Sequence, residues 1–114
     1  MEDRSIIDSQ ITSSTFKTDG SKSYRPEYGR LNNKPSGLMG GAWCAARSDT
    51  SSYLQIDLKK EMTLSGIATQ GQNDEPNWVA KYSIEHSKDG NYWQPFKEFG
   101  IKKVCAGSVV ITLQ

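Results

Sequence analysis

Apolar and polar positions alternate most cleanly in the middle of the chain, where Leu54, Ile56 and Leu58 interleave with Gln55 and Asp57 after Tyr53. A period of two with one apolar side predicts a half-buried strand over 53–58. A second apolar run, from Met62 to Thr69, changes phase after Gly66 and predicts an irregular second strand with a bulge at the glycine. Further on, Tyr82, Ile84 and His86 share one face of a third alternating run. The Asp89-Gly90 pair then predicts a turn that returns the chain into Tyr92-Trp93 as a hairpin.

The first forty residues show no such order. Gly, Ser, Asn and Pro are scattered through 18–41, and the segment reads as long loops with at most one helical turn around 26–31. Loops this long inside a compact domain are usually functional. No amphipathic helix, internal repeat or low-complexity tract is present, and the four prolines fall in loops or at strand ends. Short strands joined by long loops predict an all-β, antiparallel sandwich or barrel in which the loops carry recognition.

Composition narrows the class. A chain of 114 residues makes one domain; 35% hydrophobic and 24% charged residues with ten glycines describe a soluble, loop-rich protein. No stretch of about 18 apolar residues exists to span a bilayer, and the acidic, polar start MEDRSIIDSQ lacks the basic and apolar regions of a signal peptide. Lys and Arg number 14 against 13 Asp and Glu, a formal net charge of +1. Binding to nucleic acid through phosphate neutralisation calls for a clustered basic excess. Lys59-Lys60 and Lys102-Lys103 are isolated pairs that read as solvated strand ends.

Catalytic and metal chemistry find little material. Cys44 and Cys105 lie far apart and His86 is the lone histidine, so no zinc site of ordinary ligand spacing can be assembled; a Cys44–Cys105 disulfide stays open. His86 shares a strand face with Tyr82 and Ile84, and no G-x-S-x-G elbow presents a serine. Cys44 follows Trp43 in an apolar patch with no basic partner close in sequence, and Cys105 lies near the end of the chain, so both read as packed thiols or a disulfide. Asp74 and Glu75 sit in the polar stretch 71–77, which offers oxygen ligands to calcium but lacks the spacing of a calcium loop and reads equally as a solvated turn. The chain is not expected to be an enzyme, and no cofactor is expected; calcium near Asp74 and Glu75 is the one alternative.

Apolar residues in loops are the stronger signal. Leu38 and Met39 lie between glycines in 35–41, and Phe16 interrupts a polar stretch of serine, threonine and lysine. Either these side chains form an exposed interaction tip, or Leu38 and Met39 fold back to plug one end of the sandwich.

Six ordered motifs resemble the discoidin domain, also called the coagulation factor V/VIII type C domain. They are Asp8-Ser9-Gln10-Ile11-Thr12-Ser13-Ser14, Arg30-Leu31-Asn32, Gly41-Ala42-Trp43-Cys44-Ala45-Ala46, Leu54-Gln55-Ile56-Asp57-Leu58, Gly66-Ile67-Ala68-Thr69-Gln70-Gly71, and the run from Tyr82 to Trp93. The resemblance covers the chain from Met1 to about Val104. It implies a jelly-roll-like β-sandwich of the galactose-binding-like class with three hairpin loops, or spikes, at one end, falling here at 15–24, 33–40 and 72–77.

Family members are typically extracellular modules that bind anionic phospholipid, glycans, collagen or other cell-surface ligands through the spikes. The resemblance therefore implies a secreted or cell-surface adhesion or attachment module in peripheral contact with a membrane. Leu38, Met39 and Phe16 would enter an apolar layer, while Lys17, Lys22, Arg25 and Lys34 would favour anionic headgroups by about 1 kcal/mol each. A lectin-like alternative would use Trp78 with Asn73, Asp74 and Asn77. Trp43 and Trp93 match structural tryptophans of the family.

The family's domain is longer and is closed by a terminal disulfide, both of whose cysteines are missing here. A single domain complete to about residue 104 is implied, with final strands missing or altered in a divergent tail over 105–114. Residues 108–113 would stand in for a lost strand. An incomplete sandwich exposes an unpaired sheet edge and hence a route to self-association.

Overall fold

The computed structural model describes residues 5–47, 51–64, 67–73, 75–76, 79, 82–95 and 104–113. Seven strands dominate: β1 (Ile11–Ser13), β2 (Lys17–Asp19), β3 (Lys22–Tyr24), β4 (Tyr53–Leu64), β5 (Tyr82–Ser87), β6 (Gln94–Pro95) and β7 (Val104–Leu113). Two single-turn 3₁₀ helices, Asp8–Gln10 and Pro26–Tyr28, complete the described elements. Among the described residues there is no α-helix, as the absence of a 3.6-residue period requires.

Five strands form one sheet in the order β1-β4-β7-β5-β6, every neighbouring pair antiparallel; β2 and β3 form a separate hairpin. The predicted alternation in β4 holds. Leu54, Ile56 and Leu58 are buried while Tyr53, Gln55 and Asp57 are not, and Ile11 of β1, paired with Ile56, joins the same core. Gln10 closes this corner: its Oε1 accepts the Ile7 N–H at 3.0 Å and its Nε2 donates to the Asp57 carbonyl at 2.7 Å.

The two strands expected over 53–58 and 62–69 are one. β4 runs through Leu64 and is interrupted between Asp57 and Met62, where the register against β7 shifts. Lys59 there adopts φ 67°, a left-handed conformation uncommon for a side-chain-bearing residue. The Asp57 carboxylate supports it by accepting the Lys59 N–H at 2.8 Å. Gly66, the position expected to carry the bulge, lies outside the described residues.

The tail has become the middle of the sheet. β7 pairs with β4 on one side and β5 on the other, so the segment expected to replace a lost strand is a strand with both edges occupied. Among the described residues the sheet's outer strands are β1 and β6, only three and two residues long, and short outer strands offer little template for pairing with another chain.

The 82–95 hairpin forms as expected but turns later. β6 begins at Gln94, not Tyr92, because Ser87 and Asp89 organise a longer connection. Ser87 Oγ accepts the Gly90 N–H at 2.8 Å, and Asp89 Oδ1 accepts those of Asn91 and Tyr92 at 2.8 and 3.0 Å. Gly90, at φ 79°, supplies the left-handed residue of this turn.

Candidate functional site

Strand register shows where the loops expected as the first and third spikes emerge. Tyr53 of β4 pairs with Thr112, and Tyr82 of β5 with Leu113, so the start of β4, the exit of β1 and the entry to β5 lie at one end of the sheet. The first spike follows β1 and the third precedes β5. The β4 irregularity and the 88–93 turn lie at the opposite end, where Asp57 pairs with Ser108 and Ser108 with Ser87. An open polar cleft of 250 Å³ there is lined in part by Lys59, Lys60 and Lys88 and by Asp57, Glu61 and Asp89.

The first spike is the β2–β3 hairpin, closed by Gly20 and Ser21 with Gly20 at φ 63°. Periodicity missed it for a physical reason: β2 is exposed on both faces, so no apolar alternation marks it. The hairpin is anchored along β2 by the Lys17 N–H donating to the Cys44 carbonyl at 2.8 Å, and along β3 by the Cys44 N–H donating to the Tyr24 carbonyl at 3.3 Å. Trp43 of the same segment is half-buried and donates its indole N–H to the Thr15 carbonyl at 3.0 Å. Cys44 itself carries a half-buried thiol 3.9 Å from Gln72 Oε1.

The second spike turns at Gly37-Leu38, with Gly37 at φ 58°. Reciprocal backbone hydrogen bonds between Ser36 and Met39 close the turn at 3.0 and 2.9 Å. Leu38 is 63% exposed and Met39 42%, so neither plugs the sandwich. This turn is docked on the first spike: the Ser23 N–H donates to the Leu38 carbonyl at 2.9 Å and the Gly40 N–H to the Ser23 carbonyl at 2.7 Å. Buried Tyr24 lies beneath the junction, against Gly40.

The expected basic residues stand in different circumstances. Lys17 and Lys34 are exposed, and Lys22 is half-buried. Lys17 Nζ lies 5.7 Å from the Tyr24 ring centre, and the Arg25 guanidinium 5.1 Å from that of Phe16, which is itself 37% exposed. Arg25 Nε also donates to Glu27 Oε1 at 2.7 Å, a partner the sequence reading did not single out. That hydrogen bond, and then the Glu27 charge, raise the Arg25 guanidinium above its ordinary range.

Of the third spike, Asn73 is exposed, and Gln72 Nε2 lies 3.5 Å from Glu75 Oε2. Asp74, Asn77 and Trp78, named for the calcium and glycan readings, lie outside the described residues. The arm leading into this spike is tied down by a reciprocal amide pair: Gln70 Oε1 accepts the Asn32 N–H at 2.7 Å, and Gln70 Nε2 donates to Asn32 Oδ1 at 3.2 Å. Trp93, expected to pack structurally, is half-buried just before β6.

The motifs that carry the family resemblance are thus scaffold. Asp8 of the first meets Arg30 of the second in a 2.6 Å ion pair, and Asn32 of the second meets Gln70 of the fifth. The exposed tip residues lie between motifs.

Comparison with known proteins agrees. Rat lactadherin is 37% identical over 114 residues, covering 96% of this chain and 26% of lactadherin; mouse coagulation factor VIII is 34% identical, covering 95% of this chain and 5% of the factor. The chain therefore spans about a quarter or less of these relatives. Among solved structures, wild-type discoidin II of Dictyostelium discoideum superposes with a TM-score of 0.70 at 19% identity, over 91% of this chain and 48% of that one, which establishes the all-β discoidin fold. The F5/8 type C domain model matches residues 10–114, and with the ion-paired motifs and the spike-bearing sheet this places the chain in the F5/8 type C, or discoidin, domain family.

Proposed function

We propose that this chain is a non-catalytic, extracellular binding module that docks on anionic phospholipid through its first two spikes, serving adhesion or membrane attachment. The observation that carries the reading is the exposure of Leu38 and Met39 on a hydrogen-bonded turn that nothing in the spike itself needs to leave apolar. An exposed apolar pair on a rigid support suits insertion among acyl chains, and Met39 adapts to irregular contacts. Lys17 and Lys34 add positive charge that favours an anionic surface.

Sedimentation with vesicles of phosphatidylcholine, with and without phosphatidylserine, tests this. The chain is expected to co-sediment with the phosphatidylserine vesicles, and Leu38→Ser/Met39→Ser to remain in the supernatant while melting as cooperatively as the parent. Binding indifferent to both lipid charge and the double substitution would reject the lipid surface as ligand.

A further inference from the structure

The chain holds two Asp-Gly pairs, Asp19-Gly20 and Asp89-Gly90, and no Asn-Gly pair. Both pairs are exposed at turns, with the glycine left-handed at φ 63° and 79°. Apart from chain neighbours, a Cβ built on either glycine would meet nothing within 4 Å. Exposure, backbone region and open space therefore do not tell the pairs apart. Hydrogen bonding does. At the second pair, Asp89 Oδ1 accepts the N–H groups of Asn91 and Tyr92 at 2.8 and 3.0 Å and the Ser87 hydroxyl at 3.1 Å, while the Gly90 N–H donates to Ser87 Oγ at 2.8 Å. These bonds, that from Tyr92 foremost, also hold the Asp89 carboxyl below the ordinary carboxylate range and so in its ionised form. At the first pair, on the tip of the β2–β3 hairpin, no hydrogen bond among the described residues engages the Asp19 side chain or the Gly20 N–H.

We propose that Asp19 is a site of spontaneous isoaspartate formation on the first spike, and that Asp89, the same dipeptide in a hydrogen-bonded turn, is protected from it. The Gly20 amide nitrogen, unshielded by a Cβ, attacks Asp19 Cγ. A C–N bond forms, the amide proton passes to solvent, and the carboxyl C–O bond breaks with its oxygen leaving as water. The resulting five-membered succinimide then takes up one water. Opening at Cγ restores aspartate; opening at the former main-chain carbonyl leaves Gly20 joined through Cβ and Cγ, which is isoaspartate. The water lost on closure is regained on opening, and no oxidant or reductant is involved.

The product carries Cβ in its main chain, so β2 gains one backbone atom beside a turn of only Gly20 and Ser21. Register in such a hairpin is fixed by the length of its turn, here through Asp19 opposite Lys22 and Thr18 opposite Ser23. Ser23 also carries the second spike, through its bonds to Leu38 and Gly40. Isomerisation at Asp19 thus loosens both spikes, whatever ligand they take.

The folded chain, incubated at near-neutral pH and body temperature, tests this after digestion and mass spectrometry with electron-transfer fragmentation, which distinguishes isoaspartate from aspartate. Isoaspartate is expected to accumulate several-fold faster at residue 19 than at residue 89, and the two rates to converge in denaturant, where the bonds around Asp89 are gone. Ser87→Ala, which frees the Gly90 N–H, is expected to raise formation at residue 89 while still melting cooperatively. Equal rates at the two positions in the folded parent, or a rate at residue 89 indifferent to both denaturant and Ser87→Ala, would overturn the inference. In the isoaspartate-bearing fraction the amides of Ser23 and Gly40 should exchange faster than in fresh protein, with no such ageing in Asp19→Ser; unchanged exchange in that fraction overturns the loosening of the spikes.

Discussion

The ring of Tyr24 fills the space that a side chain on residue 40 would need. A Cβ built on Gly40 would come within 2.7 Å of Tyr24 Cε1 and 2.9 Å of the Ser23 carbonyl oxygen, the latter being backbone that cannot swing aside. Gly40→Ala is therefore expected to cost about 1–3 kcal/mol as overpacking and to pry the second spike from the first. Hydrogen exchange checks it: the amides of Ser23 and residue 40, protected in the parent, should exchange faster, while β4 amides paired with β7 keep their protection.

Asp89 makes the 88–93 turn sensitive to acid. Its carboxyl is held below the ordinary carboxylate range by the backbone N–H groups of Tyr92 and Asn91, with a smaller contribution from the Ser87 hydroxyl. A carboxyl lowered by folding contributes stability above its unfolded-state pKa near ~3.9, and that contribution is lost as pH falls through the lower folded value. The loss in melting temperature between neutral pH and pH ~3 should accordingly be smaller in Asp89→Asn, which keeps an acceptor but does not titrate. An identical acid sensitivity in the two proteins would show that the turn plays no part.

The ion pair between Asp8 and Arg30 is lopsided. The Arg30 side chain is 3% exposed and that of Asp8 58%, so water screens one partner while the other is a buried cation. Removing a partner from a fully buried pair costs about 3–5 kcal/mol, and an exposed pair is worth little. Asp8→Asn should fall between, at about 1–2 kcal/mol in chemical denaturation, with the greater part of the loss retained in high salt because Arg30 is shielded from counterions.

Trp43 joins the first spike to the scaffold through its indole N–H on the Thr15 carbonyl. Trp43→Phe keeps an aromatic ring and removes that donor, so a loss of about 1 kcal/mol is expected from thermal or chemical melts. Because the bond ends at the base of the β2–β3 hairpin, faster exchange of the Lys17 amide should accompany it.

The local pattern determined a good deal by itself. Alternation in 53–58 and the Asp-Gly turn after β5 identified strands whose one-sided burial is a property of consecutive residues. The six motifs identified the family because they are the scaffold's own contacts: Asp8 with Arg30 and Asn32 with Gln70 are demands of packing and hydrogen bonding, and these are written in residue type. The single turn read around 26–31 is a 3₁₀ helix that begins at Pro26, a residue suited to the first position of a helix. The apolar residues at 38 and 39 stood out for the same reason in reverse, since no strand was at hand to bury them.

Tertiary structure decided what consecutive residues cannot express. The β2–β3 hairpin left no periodic trace because its outer strand has no buried side, and β7 became the central strand through pairing with β4 and β5, which are distant in sequence. Whether Leu38 and Met39 plug the sandwich or face outward depended on the two hydrogen bonds to Ser23, 15 or more residues away. The resemblance named Lys17, Lys22, Arg25 and Lys34, but not what each of them lies against. Three-dimensional structure set Arg25 against Glu27 and Phe16 and left Lys17 and Lys34 exposed, because the strength and direction of a charge depend on what lies beside it in space.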